Sequence, residues 1–208
     1  MENDVKEFLS ELLKQLKSID YIKPEDIPNI DLYMDQVTTF MDEQLAASKR
    51  YESDKILTKT MINNYAKNNL LPSPDKKKYS KEHVLTLLFI YYFKNILSIN
   101  DIRSILNPLT EKYFGNDDGF TMQDVYTEVF SLEAEESQKL LKDLGKKYKI
   151  AGETFEDFPD EDQKFLHTFS FICMLSFDVY IKKMLIERMI DNLNKEKEAS
   201  SSKKTGSN

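Results

Sequence analysis

An all-α fold is what this sequence predicts, and three observations carry the prediction. Apolar residues recur at intervals of three and four along most of the chain, the signature of one buried helical face. Glycine occurs only 5 times in 208 residues, too rarely for the turns of positive φ that a hairpin-rich β fold requires. Hydrophobic residues at 40% and aromatics at 12% supply enough apolar surface for a folded core, which argues against a disordered chain.

The elements follow in order. Val5, Phe8, Leu9, Leu12, Leu13, Leu16 and Ile19 line one face of a helix over 3–19, and Pro24 and Pro28 break the pattern. Asp31 is the expected N-cap of a second helix over 32–48, whose stripe is Met34, Val37, Phe40, Met41 and Leu45. After the polar connector KRYESDK, Thr58 caps a short helix from Lys59 to about Asn68. Asn69 suits its left-handed end, and Leu70-Leu71-Pro72 leaves it extended. Ser80 caps a helix over 81–96 that is apolar on almost every side, so protein must cover it on more than one face. Ser98 and Asp101 form a capping box for the next helix, with Asp where Glu or Gln is usual, and Pro108 is expected to close it.

Charge is distributed unevenly along this order. Residues 1–48 hold 4 Lys and 11 acids, and residues 116–199 hold 11 Lys or Arg and 19 acids. Residues 49–83 reverse the sign, with 9 Lys or Arg against Glu52, Asp54, Asp75 and Glu82. A net charge of -7 therefore conceals one basic segment, centred on TKTMINNYAKNNLLPSPDKKKYSKEHV. By charge alone such a run is more often a solvated loop than an interface.

The same segment, in its order, resembles the MerR-type winged helix-turn-helix. Tyr65, then Asn69-Leu70-Leu71-Pro72, then the basic Lys76-Lys77-Lys78-Tyr79-Ser80, then the helix over 81–96 and SINDIRSIL occupy the places of a recognition helix, its exit, a wing and two following helices. The likeness covers about residues 56–107 and implies a DNA-binding fold. LYMDQV, TKTMINNY and KKKYSKEHV further resemble a bacterial family catalogued as a domain of unknown function, number eighteen thirty-six. Against the MerR pattern, Asn63 replaces an Arg, Asn64 a Tyr and Asn69 a Gly. The connector before Thr58 is longer than a standard turn, and the wing is short.

The expected chemistry of this segment is nucleic-acid contact. Lys59, Asn63, Asn64 and Lys67 share the exposed side of the short helix, where lysines neutralise phosphates and asparagines pair with the adenine edge. Lys76, Lys77 and Lys78 on the loop are placed to clamp a phosphate backbone. Tyr79 is a candidate phosphate donor, yet for both Tyr65 and Tyr79 packing is the commoner use of an aromatic at such a position. The function expected is a DNA-binding transcriptional regulator. The alternative is a non-enzymatic adaptor for a protein partner that keeps the winged fold without binding DNA, consistent with the acidic balance.

An enzyme is the class least supported. His83 and His167 lie in different segments and match no metal spacing, so no metal or cofactor is expected, and His167 is expected to pack or cap within a helix. The acidic groups at Asp117-Asp118 and 156–162 read as solvated turns.

Gly115 to Gly119 marks a boundary by its turn chemistry, dividing a winged-helix domain over 1–114 from a helical module over 115–197. In the module, Met122 to Phe130 start one helix, Leu132 to Leu144 another with Gly145 and Gly152 at its frayed end, and Phe165 to about Leu193 the longest. Phe165, Phe169, Ile172, Val179, Ile186, Ile190 and Leu193 follow three-four spacing, interrupted by Ser176 and Lys183. That stripe is expected either in the core of its own subunit or at a homodimer seam. His167 and Asp178 interrupt the apolar run too soon for a membrane span, and residues 198–208 read as a disordered tail. A lone Cys173 and an acidic N-terminus point to the cytoplasm.

Overall fold

The computed structural model describes residues 21–116 and 119–205, with the side chains of 133–135 and 200–205 left aside. The helix expected over 3–19 lies outside the described residues. What is described is mostly helical, with one two-stranded sheet: β1 (Leu32–Tyr33), α1 (Met34–Gln44), α2 (Lys59–Lys67), β2 (Lys78–Tyr79), α3 (Lys81–Phe93), α4 (Ile99–Tyr113), α5 (Met122–Ser131), α6 (Glu133–Gly152) and α7 (Asp160–Thr205). Among the described residues, one compact body holds 21–130 and 186–205 and another holds 131–185.

The first body is built around α3. Every residue from His83 to Tyr91 is buried, so this helix has no solvent face, as its all-round apolar sequence requires. Val37 and Met41 of α1, Ile62 and Tyr65 of α2, Ile102 and Leu106 of α4, and Met122 and Tyr126 of α5 complete the core. Tyr126 is fully buried and donates its hydroxyl to the Ile22 carbonyl at 2.8 Å. Its ring lies 5.4 Å from Phe89 and 4.4 Å from Phe130. These contacts place α5 in the first body. Along this stretch the first body ends at Phe130 and the second begins at Ser131.

Three local expectations are corrected. Leu32 and Tyr33 do not begin a helix: Leu32 is buried and pairs antiparallel with Tyr79, and Tyr33 with Lys78. Tyr33, not Asp31, is the N-cap of α1, with its amide held by Gln36 Oε1 at 2.8 Å. Pro108 does not close α4, which continues to Tyr113. A proline inside a helix removes the hydrogen bond to the carbonyl four residues back, here that of Ser104. Lys197 Nζ supplies the missing donor to Ser104 O at 2.7 Å. α7 runs to Thr205 because the sequence offers no Pro or Gly to stop it before Gly206.

The second body is made by α6 and the first part of α7. Lys147 pairs with Asp143 and Asp178, and together they hold the pKa of its ammonium above the usual lysine value. Tyr148 meets buried Phe171 edge-on at 5.2 Å. His167 places Nε2 2.8 Å from the Thr154 carbonyl. α6 continues through Gly145, which does not fray it.

Candidate nucleic-acid interface

The short helix α2 is fixed at both ends by its own sequence. Thr58 Oγ1 accepts the Met61 amide at 3.2 Å, an N-cap worth about 1 kcal/mol. At the other end Asn69 stands at φ 56°, and two bonds close a Schellman motif: Leu70 N to Tyr65 O at 2.8 Å and Asn69 N to Ala66 O at 3.2 Å. Leu70 and Leu71 are buried directly after it. The exit anticipated from Asn69-Leu70-Leu71-Pro72 is thus a packed helix stop.

Ile62 and Tyr65 turn inward, which leaves Lys59, Asn63, Asn64 and Lys67 exposed. Lys59, Asn63 and Lys67 recur every fourth residue and form one stripe, with Asn64 on its flank. Lys59 forms an ion pair with Asp35 at the start of α1. Both side chains are largely exposed, so the pair contributes little to stability and yields readily to another anion.

The basic loop is a tight hairpin. Lys78 N donates to Asp75 O at 2.8 Å, and Asp75 also bridges Lys78 in antiparallel fashion. Between them Lys76 and Lys77 stand at φ 47° and 66°. Two consecutive left-handed residues are what a type I′ hairpin turn demands, and Asn-Gly is the usual choice because a Cβ crowds the backbone carbonyl in that region. Lysine costs on the order of 1–2 kcal/mol per residue there. Lys76, Lys77 and Lys78 are all exposed. Lys78 sets its ammonium 5.6 Å from the centre of the Tyr33 ring.

Tyr33 and Asp35 are two residues apart, so the two basic elements meet at one place. Lys59 of α2 reaches Asp35, and Lys78 of the hairpin reaches Tyr33. The β1–α1 junction gathers both. Tyr79 is the exception among the candidates: it is 3% exposed, and its ring packs against His83 at 5.5 Å. Burial pushes its phenol above the usual value. The expected phosphate donor is a core residue, and Tyr65 is buried likewise.

Other residues that hold the site are less apparent in the sequence. His83 occupies the third position of α3 and accepts the Ser80 amide on Nδ1 at 3.0 Å, a capping box with histidine in the usual place of Glu or Gln. Lys94 Nζ donates to the Ile56 carbonyl at 2.6 Å and lies 4.8 Å from the Tyr91 ring. Burial lowers the Lys94 ammonium's pKa. This clamp ties the long connector before Thr58 to α3. The Ser-x-x-His spacing could have signalled the first, whereas nothing local signals the second.

Among the described residues no three His, Cys, Asp or Glu side chains converge as metal ligands. No helix among them is long and apolar enough to cross a membrane. The chain belongs to a family described as a domain of unknown function (DUF1836), whose sequence model matches residues 22–129. Neither the curated proteins nor the solved structures include a match. The matched stretch spans β1 through α5 and contains every candidate contact residue.

Proposed function

We propose that this member of the family is a DNA-binding regulator of transcription, with α2 entering the major groove and the Asp75–Lys78 hairpin following the phosphate backbone. The observation that carries the reading is the exposed Lys59, Asn63, Lys67 stripe on a helix capped at both ends, joined through the β1–α1 junction to three exposed lysines. A lysine contact releases counterions without regard to sequence, whereas an asparagine contact reads a base. The order β1, α1, α2, hairpin, β2, α3 supports a MerR-like winged helix-turn-helix, with β1 pairing behind the wing. The mechanism is recognition without chemistry, so no cofactor is required.

A homodimer belongs to the same proposal, because paired reading heads engage successive half-sites. It is supported by the apolar face of α7, where Phe165 is 69%, Phe169 51%, Ile172 53% and Val179 62% exposed. The test of sequence reading is selection of duplexes from a genomic-fragment library. Asn63→Ala should cost about 1–3 kcal/mol on the selected duplex and little on random DNA, measured by fluorescence anisotropy. If wild-type protein selects no fragment above random, the DNA reading fails and the basic segment serves a protein partner.

A further inference from the structure

His83 sits where its protonation state controls the hairpin. Its Nδ1 lies 3.0 Å from the Ser80 amide and 2.8 Å from Ser80 Oγ. An amide can only donate, so Nδ1 must accept and the neutral ring carries its proton on Nε2. That Nε2 is buried and has no hydrogen-bond partner among the described residues. Tyr79 meets the ring edge-on from β2 at 5.5 Å, and Phe114, at the end of α4, does so at 4.7 Å. The imidazole is therefore a wedge between β2 and α4, 5% exposed and tied to the residue that joins β2 to α3.

We propose that His83 is a proton-operated latch on the hairpin: neutral, it holds β2 against α3, and protonated, it releases the strand and the turn that carries Lys76 to Lys78. A second ring proton would stand on Nδ1, oppose the Ser80 N–H donor against donor, and leave only Ser80 Oγ at 2.8 Å to accept it. The imidazolium would also bury a charge, which a largely desolvated site opposes. The groups around the ring are few. Asp31, ahead of β1, and the carbonyls of Pro72 and Ser73 favour the charged form, but burial outweighs them and holds the ring below its ordinary 6.5. Tyr79 and Phe114 bring no charge, and on α3 itself the Glu82 carboxylate is taken by the Gly115 amide at 2.6 Å.

The direction with pH follows from that depression. As pH falls below 6.5 the open chain takes up the proton first, so stability present above that value is lost on acidification. The latch acts on the hairpin whether or not nucleic acid is bound.

Amide hydrogen exchange of the intact protein tests it, with protection at Lys78 corrected for intrinsic rates between about pH 7.5 and 5.5. In wild type, protection should fall as pH drops below 6.5, by at most tenfold per pH unit, the limit set by one proton taken up on opening. In His83→Gln, which keeps an acceptor at the capping position, the protection should not change over this range. Equal falls in both proteins, or no fall in wild type, overturn the latch. Should His83→Gln fail to fold, the imidazole proton resonance of wild type decides: a midpoint below 6.5 supports the latch, and one at or above 6.5 overturns it.

Discussion

α3 and the Phe165–Leu193 stretch of α7 are both rich in aromatic and aliphatic residues, yet they meet opposite environments. α3 is buried along nine consecutive residues, His83 to Tyr91, whereas α7 leaves Phe165, Phe169, Ile172, Val179 and Leu185 exposed. The sequences differ in arrangement. In α3, Val84, Leu85, Leu87, Leu88, Phe89 and Ile90 leave no gap for a polar face. In α7 an inward side engages α6 through Phe171 and Asp178, and His167 meets the Thr154 carbonyl just beyond that helix. Phe165, Phe169, Ile172 and Val179 of the three-four stripe stand exposed, whereas Ile190, farther along, is buried in the core of the first body. An apolar helix records how much of its surface avoids water, but not whether its own chain or a second copy does the covering.

Alanine substitutions in the two helices should therefore behave differently. Leu88→Ala removes a fully buried side chain and should cost about 2–5 kcal/mol in chemical denaturation. Phe169→Ala at α7 should leave the stability of an isolated chain within about 0.5 kcal/mol while lowering the mass seen by light scattering from two chains towards one. If Phe169→Ala destabilises as much as Leu88→Ala and leaves the mass unchanged, the stripe is an ordinary core face.

The same contrast explains what could be read in the sequence. Thr58, Ser80, Ser98 and Asn69 announce their roles because caps depend on a few adjacent residues, and each is found where its spacing placed it. The mostly helical class and the all-round burial of α3 follow from periodicity. Pairings between distant residues were not legible. Leu32 with Tyr79 turned an expected first helical turn into a strand, Lys197 sustains α4 past Pro108, and Tyr126 reaching Ile22 moves α5 into the first body. At the candidate site, exposure of Lys59, Asn63, Asn64 and Lys67 could be foreseen from the inward spacing of Ile62 and Tyr65. Tyr79 could not be placed, because a strand of two residues has no period.

At position 77 the strain of the turn and the use of its charge can be separated. Lys77→Gly removes a side chain from φ 66° and should stabilise the protein by about 1 kcal/mol, since glycine occupies that region without strain. The same change should weaken DNA binding by removing one phosphate partner. Stability rising while affinity falls would mean that the lysine is kept at a conformational cost for its charge. A thermal melt paired with a binding isotherm reads both, and a loss of stability would contradict the turn geometry.

The salt dependence of DNA binding decides whether the basic hairpin meets phosphate. With Lys76, Lys77 and Lys78 all changed to Ala, the slope of log affinity against log salt should become shallower by about 0.9 for each phosphate no longer neutralised, on selected and random duplexes alike. An unchanged slope, with the hairpin still folded by the protection of the amide at position 78, would contradict the reading of these lysines as a phosphate clamp.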